Sequence, residues 1–290
     1  MRKNHWPARI LIAVFVIISL FPIVFIFANS LMSPDEIVNR YTSYVTESNA
    51  EDYIVNNVHY VRFGLIPDEP TLEQYTTLLT DSPTYLRMFW NSVLLVVPVL
   101  LGQCVIAPLA AYGFERMRWK YKEVLYFMYI IVMLMPTQIL LVPNFIVAEW
   151  LHIRESYWAI ILPAMFHPLG VFLIRQQLKN FPKECLEAAA LDGATPWQTY
   201  RHIVRPNLRS VVAALVVLLF ADNWNIVDQA VVFIHETFES PLSVYLGAVV
   251  SSSPGIFFAV SVFYMMPALL VFLFGQDHLT DGISMSTIRS

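Results

Sequence analysis

The chain lacks a GxxxxGK[ST] sequence, so it has no glycine-rich loop and lysine with which to cradle nucleotide phosphates, and P-loop hydrolysis of ATP is excluded. Any dependence on ATP must come from a partner. HExxH and GxSxG are missing too, and no carboxylate pair falls in a segment suited to a soluble cleft, so an enzymatic reading has little support. Cysteine is scarce. Cys104 falls in an apolar run and Cys185 in a polar loop, with no Cys or His at metal-ligand spacing, so neither a disulfide framework, a metal centre nor a cofactor is expected. Charged residues make up only 14% of the chain, and a net charge of -4 gives no sign of nucleic-acid binding. No repeat or low-complexity tract stands out.

What the chain has in abundance is apolar sequence, 57% of 290 residues, in blocks rather than at amphipathic spacing. A helix needs roughly 20 apolar residues to cross a hydrocarbon core. Blocks of that kind run over 10–31, 90–114, 124–147, 157–174, 211–234 and 253–274. The expectation is an all-α, polytopic transmembrane helix bundle of about six spans, in contact with membrane lipid. The first block follows Arg2, Lys3 and Arg9 but is long for a signal peptide and ends in Asn29-Ser30 without a small-residue cleavage site, so it reads as a retained anchor. Prolines 98, 108, 136, 143, 163, 168 and 267 interrupt the blocks and predict kinks.

Basic residues accumulate in short cytoplasmic loops. They lie before the first span, between the second and third at Arg116, Arg118, Lys120 and Lys122, and between the fourth and fifth at Arg175, Lys179, Lys183, Arg201, Arg205 and Arg209. Acidic residues instead dominate the segment after the first span. A multi-pass protein of the cell (inner or plasma) membrane is expected, with both termini cytoplasmic. The expected organisation is an N-terminus and first helix over 1–31, an extracytoplasmic segment over 32–87, a permease core over 88–274 and a cytoplasmic tail over 275–290. Within the extracytoplasmic segment, Thr71 reads as a cap for a short helix over 71–79.

The cytoplasmic loop over 182–206 carries the most information. Pro182 suits a first helical turn, 183–191 contains no helix breaker, and Asp192-Gly193 ends the run. Thr195 can cap a second helix with Pro196 in its first turn, which Pro206 is expected to close. The result is a helix-Gly-helix elbow facing the cytosol.

The spelling of that elbow, with Glu187, Ala188, Ala189, Gly193, Ile203 and Pro206 in register, resembles the inner-membrane permease subunits of ABC importers, specifically the carbohydrate-uptake group of the maltose-transporter type. One departure is Arg205, where the pattern prefers Leu. The resemblance continues through NSVLLVV, AAYGFERMRW, PTQILLVPNF, AIILPAMFHPLGVFLIRQQL and Trp224-Asn225. It implies a second homologous permease subunit, a pair of cytoplasmic ABC ATPase subunits, an extracytoplasmic sugar-binding protein and a carbohydrate substrate. It also implies that Glu187, Ala188, Ala189, Asp192, Gly193, Ile203 and Pro206 form the ATPase-coupling surface, and that Gly282 and Arg289 in the tail reach the ATPase interface.

Polar groups within the spans are the remaining candidates, because such groups are costly in a membrane unless they face a cavity or a partner. Asp222, Asn223, Trp224 and Asn225 fall about 11 to 14 residues into the fifth span, roughly 17 to 21 Å along a helix. Asp222, Asn225 and Gln229 repeat at i, i+3 and i+7, which predicts one helix face. Two readings stay open for this cluster: the lining of a sugar pathway, or ties between helices. Gln103, Gln138 and His167, at similar depth, fit packing ties. An ion-gradient-driven secondary transporter working through Asp222 or His167 is the alternative from another class.

Overall fold

A computed structural model describes residues 6–41, 54–55, 58–59, 64–81, 83–116, 119–252 and 254–284. Arg2, Lys3, Arg62, Arg118 and the predicted tail contact Arg289 lie outside the described residues. In chain order the elements are α1 (Trp6–Asn29), α2 (Pro34–Tyr41), a two-residue antiparallel pair β1 (Ile54–Val55) and β2 (Val58–His59), α3 (Glu73–Thr76), α4 (Pro83–Arg116), α5 (Lys122–Met133) and α6 (Thr137–Trp150). There follow α7 (Trp158–Met165), α8 (Pro168–Lys179), α9 (Lys183–Leu191), α10 (Pro196–Thr199), α11 (Arg205–Asn207), α12 (Arg209–Trp224), α13 (Asp228–Phe233), α14 (Leu242–Ser252) and α15 (Phe257–Ser284). Apart from that two-residue pair, the architecture of the described residues is all-helical, as expected.

Among the described residues, four helical stretches are long and apolar enough to cross a membrane, Arg9–Asn29, Pro83–Arg116, Trp158–Lys179 and Pro254–Asp277, and the number rises to 6 if each of two bent pairs counts as one span. The bent pairs correct the sequence reading. The block over 124–147 is not one straight helix, because α5 and α6 meet at 108°. Pro136, extended at ψ 139, cannot donate the N–H that would continue α5. The prolines divide accordingly: Pro98, Pro108, Pro143, Pro163 and Pro267 stay inside helices, whereas Pro136 and Pro168 stand at breaks. The block over 211–234 is broken too, since α12 stops at Trp224 and α13 starts at Asp228.

The chain divides into two compact units, 1–89 with 245–266, and 90–244 with 267–290. In the first, α1 leaves Leu11, Phe15, Ile18 and Leu20 uncovered, while its last turn is tied down by polar groups. Gln74, fully buried, donates to the carbonyls of Asn29 (2.9 Å) and Met32 (2.7 Å) and accepts from the Ala259 N–H (3.2 Å). One amide thereby satisfies backbone groups from two helix ends. Thr71 accepts from the Glu73 N–H (3.1 Å), and α3 widens after four residues into a π turn over Thr77–Asp81. Arg40 pairs with Glu36 (2.8 Å) and Asp68 (2.7 Å), and the Asp68 hydrogen bond holds the guanidinium above its ordinary range.

In the second unit a core of Ala107, Ala111, Val171, Ile174, Val204, Leu208 and Leu215 joins α4, α8 and α12 beneath the elbow. Gly170 makes that junction possible: a Cβ there would collide with Gln103 Oε1 and come within 2.9 Å of the Ala107 Cβ. A second core, with Leu95, Val99, Ile160, Ile161 and Phe233, joins α4, α7 and α13.

Candidate functional site: elbow and intramembrane cavity

The elbow is built by local chemistry. Pro182 flanks α9 rather than entering it, and the helix runs from Lys183 to Leu191. Its end is a complete Schellman motif: the Gly193 N–H bonds to the Ala190 carbonyl (3.1 Å), and the Ala194 N–H to the Ala189 carbonyl (2.9 Å). Gly193 stands at φ 75, a left-handed conformation that favours glycine. Thr195 then caps α10 through a reciprocal capping box with Gln198, and Pro196 sits in the first turn as the sequence predicts.

Pro206 does not close the second helix. The helical path continues through a π turn over Tyr200–Val204 and through α11 to Asn207, and only then turns by 68° into α12. Lacking an N–H, Pro206 cannot bond to the carbonyl four residues back, and its ring crowds that carbonyl; a widened turn just upstream relieves both problems.

The elbow has an inner and an outer face. Ala189, Thr199, Tyr200 and Val204 are buried in the chain, with Ile203 half-buried. Glu187, Ala188, Asp192, Gly193 and Pro206 are exposed. So are Leu191, at 89%, and Trp197, at 59%, two large apolar side chains that the sequence reading did not single out. Tyr112 of α4 roots the elbow, donating to the Pro196 carbonyl (3.1 Å) with its ring 5.4 Å from that of Tyr200. Trp197 stacks on the same Tyr200 at 5.5 Å.

A second root was read from the sequence only as a topology charge. Arg175 of α8 is 1% exposed, its Nη2 donates to Glu123 at 2.7 Å, and its Nε lies 3.6 Å from Glu115. The guanidinium also lies over the Tyr126 ring, 3.8 Å from its centroid. One buried cation thus ties α8 to the adjoining ends of α4 and α5. Glu115 and Glu123 near the ends of apolar blocks were the available signal, but their pairing needs the fold.

At the far end of α12 lies a cavity of about 300 Å³ whose lining includes Tyr129, Asn144, His167, Asp222, Asn223 and Gln229. A smaller adjoining cavity, about 170 Å³, is lined by Thr137, Asp222, Asn225, Asp228 and Gln229 among others. Asp222, Asn223, Asn225 and Gln229 are therefore brought together, but not by sharing a helix face. The chain break at 225–227 folds Gln229 back, because α12 ends before the i+7 position. Trp224 departs from expectation: it is 2% exposed and stacks on Phe220 at 5.2 Å, in the packing rather than on the cavity wall.

Helix ends are stitched around this space. The side-chain amides of Asn223 and Asn225 donate to the carbonyls of Leu219 (2.8 Å) and Ala221 (2.7 Å). His167 caps α8 by accepting from the Leu169 N–H (3.4 Å), and buried Gln103 donates to the carbonyls of Ala164 (3.2 Å) and His167 (3.0 Å). Gln103 is a packing tie, as expected. Gln138 ties α6 to α13 by donating to Asp228 Oδ2 at 2.7 Å. Asp228, Thr137, Asn144 and Tyr129 escaped the sequence reading, although an Asp opening a short helix is a legible signal for the first. Gly282 lies in α15, which runs ten residues past the expected end of the sixth span at Phe274.

Comparison with known proteins identifies the lineage. Residues 103–284 match the model of the family described as binding-protein-dependent transport system inner membrane component. Among curated proteins, the chain is 24% identical over 226 residues to the arabino-oligosaccharide transport system permease protein AraQ of Bacillus subtilis, covering 77% of this chain and 80% of the relative. It is 29% identical to the lactose transport system permease protein LacG of Rhizobium radiobacter, covering 68% and 73%. With the sn-glycerol-3-phosphate transport system permease protein UgpE of Escherichia coli it shares 31% identity, covering 58% and 62%. Its fold is similar to that of a chain in the crystal structure of a bacterial ABC transporter that imports the acidic polysaccharide alginate, with a TM-score of 0.75 at 19% identity over 96% of this chain and 98% of that one. The chain belongs to the binding-protein-dependent transport system inner membrane components, the permease subunits of ABC importers.

Proposed function

We propose that this chain is one of two permease subunits of an ATP-driven carbohydrate importer, lining half of the translocation pathway and docking on a cytoplasmic ATPase through its elbow. One observation carries the proposal: the elbow and the polar cavity occupy opposite ends of the same helix, α12, with a 68° bend at one end and a chain break at the other. A rigid-body movement imposed on the elbow by closing ATPase subunits is transmitted along about 20 Å of helix to Asp222 and Asn223. Glu187, Ala188, Asp192 and Gly193 form the docking face together with Leu191 and Trp197. Buried Ala189 and half-buried Ile203 support that face from beneath, and exposed Pro206 flanks it.

A sugar needs amides and carboxylates for its hydroxyls and aromatic faces for its C–H surface, and the cavity offers Asp222, Asn223, Gln229, Asn144 and Tyr129. The names of several relatives, which include arabino-oligosaccharide and lactose permeases, support the substrate class. A second homologous permease supplies the other wall, an ATPase pair the energy, and an extracytoplasmic sugar-binding protein the solute. Both termini lie in the cytosol in this arrangement, with Gly282 and Arg289 extending toward the ATPase pair. The organisation proposed is an anchor over 1–31, a partner-facing segment over 32–87, the permease core over 88–274 and the tail beyond it.

The test is uptake by proteoliposomes holding the complete complex with its binding protein. Uptake is expected to require ATP, to be inhibited by vanadate, and to be lost in Glu187→Lys while that subunit still inserts and assembles. Uptake driven by an ion gradient without ATP would instead establish the secondary-transporter alternative.

A further inference from the structure

The charge of the cavity narrows the substrate class within the function proposed above, on which this inference rests. Among the described residues, no Lys or Arg lines either the larger or the smaller cavity, whereas Asp222 lines both and Asp228 lines the smaller. The backbone does not reverse this balance. Helix C-termini carry about half a negative charge and N-termini about half a positive one. Each of the three chain breaks around the cavity, between α5 and α6, α7 and α8, and α12 and α13, contributes one end of each kind. Those contributions offset one another, and the formal charge left on the wall is that of the carboxylates. Of the other polar lining groups, Tyr129, Thr137, Asn144, Asn223, Asn225 and Gln229 are neutral and suit hydroxyl groups, and the His167 ring is engaged as the acceptor that caps α8 through the Leu169 N–H.

We infer that this half of the pathway is selective for uncharged sugars, and that Asp222 is the residue that rejects anionic solutes such as sugar phosphates and uronates. At about 6 Å and an effective dielectric of about 20, one carboxylate disfavours a singly charged anion by about a hundredfold. The chain thereby parts company with the two proteins above whose names carry a phosphate and an acidic polysaccharide.

The potential can be read without knowing the sugar. In the complete complex, with Cys104→Ser and Cys185→Ser as background, Thr137→Cys places a thiol on the wall of both cavities, and Asn144→Cys supplies a second position on the larger one. Each is reacted with cationic aminoethyl, neutral hydroxyethyl and anionic sulfonatoethyl methanethiosulfonate, with rates normalised to those of a free thiol. The cationic reagent is expected to react at least about tenfold faster than the anionic one, allowing for screening, and Asp222→Asn is expected to remove most of that ratio. Equal rates, a preference for the anion, or a ratio unchanged by Asp222→Asn overturn the charge selectivity and leave the pathway standing. Failure of even the neutral reagent to reach either thiol overturns the pathway reading and this inference with it.

Discussion

Replacing Gly193 separates the elbow's backbone geometry from every other property of the loop. At φ 75 the residue is left-handed, and nothing lies within 4 Å of the position a Cβ would take. A substitution therefore meets no steric obstacle and acts through backbone strain alone. An ordinary L-residue in that region costs about 1–2 kcal/mol, a β-branched one up to about 3 kcal/mol, and Asn least of all. The two hydrogen bonds of the Schellman motif, from Gly193 and Ala194, are what the strained chain would give up to relax. Since about 1.4 kcal/mol is tenfold in a population, Gly193→Val depletes the docking-competent elbow by one to two orders of magnitude, Gly193→Ala by about tenfold, and Gly193→Asn by less. Purified complexes should show solute-stimulated ATPase activity and uptake falling in the order Gly, Asn, Ala, Val, at equal subunit insertion. Wild-type stimulation in Gly193→Val, or a ranking that follows side-chain size with Asn worse than Ala, would refute the reasoning.

Asp222→Ala should lower uptake while the subunits remain assembled through mild detergent extraction; dissociation of the complex would mark the residue as a tie between helices. Arg175→Ala should lower the detergent-state melting temperature of the complex by several degrees, chiefly through lost packing on Tyr126, because Glu115 and Glu123 are exposed enough to rehydrate. An unchanged melting temperature would show that the guanidinium does not hold α8 to α4 and α5. Deletion of 284–290 should reduce ATPase stimulation at unchanged expression, and equal rates with and without those residues would make the tail dispensable.

Legibility in the sequence followed the range of the interactions. The elbow could be read nearly residue by residue because a Schellman glycine and a capping box close within six positions of the chain. Its misreadings concern Pro206, where the consequence of a missing N–H depends on whether the preceding turn can widen, and Pro182, which stands one residue outside the first turn as the extended N-cap of α9. Hydropathy found the apolar blocks but could not see them break. Averaged over a span's length, Leu134 to Pro136 and Asn225 to Val227 are only small dips, yet they turn the chain by 108° and end α12. The cavity residues were consequently identified for partly the wrong reason. Periodicity grouped Asp222 with Gln229, whereas a loop brought them together, and the same periodicity gave no warning that Trp224 points into packing against Phe220. Arg175 shows the limit most clearly. Its partners lie 52 and 60 residues earlier in the sequence, and only the assembled bundle distinguishes a buried ion pair from a basic residue that merely orients a loop.

The three helix breaks around the cavity bear on how an energised membrane stays sealed. Backbone groups at helix ends must find hydrogen-bond partners, and side chains supply several of them, Gln103 to the Ala164 and His167 carbonyls, Tyr129 to that of Phe166, and Asn223 and Asn225 to those of Leu219 and Ala221; the groups left over are expected to hold water in the pocket between transport cycles. Water at that depth shortens the insulating layer over which the membrane potential falls, concentrating the field across whatever protein separates the pocket from each side. The protein that separates the pocket from each side, more than the pocket itself, is then what keeps protons and sodium from leaking through an idle permease.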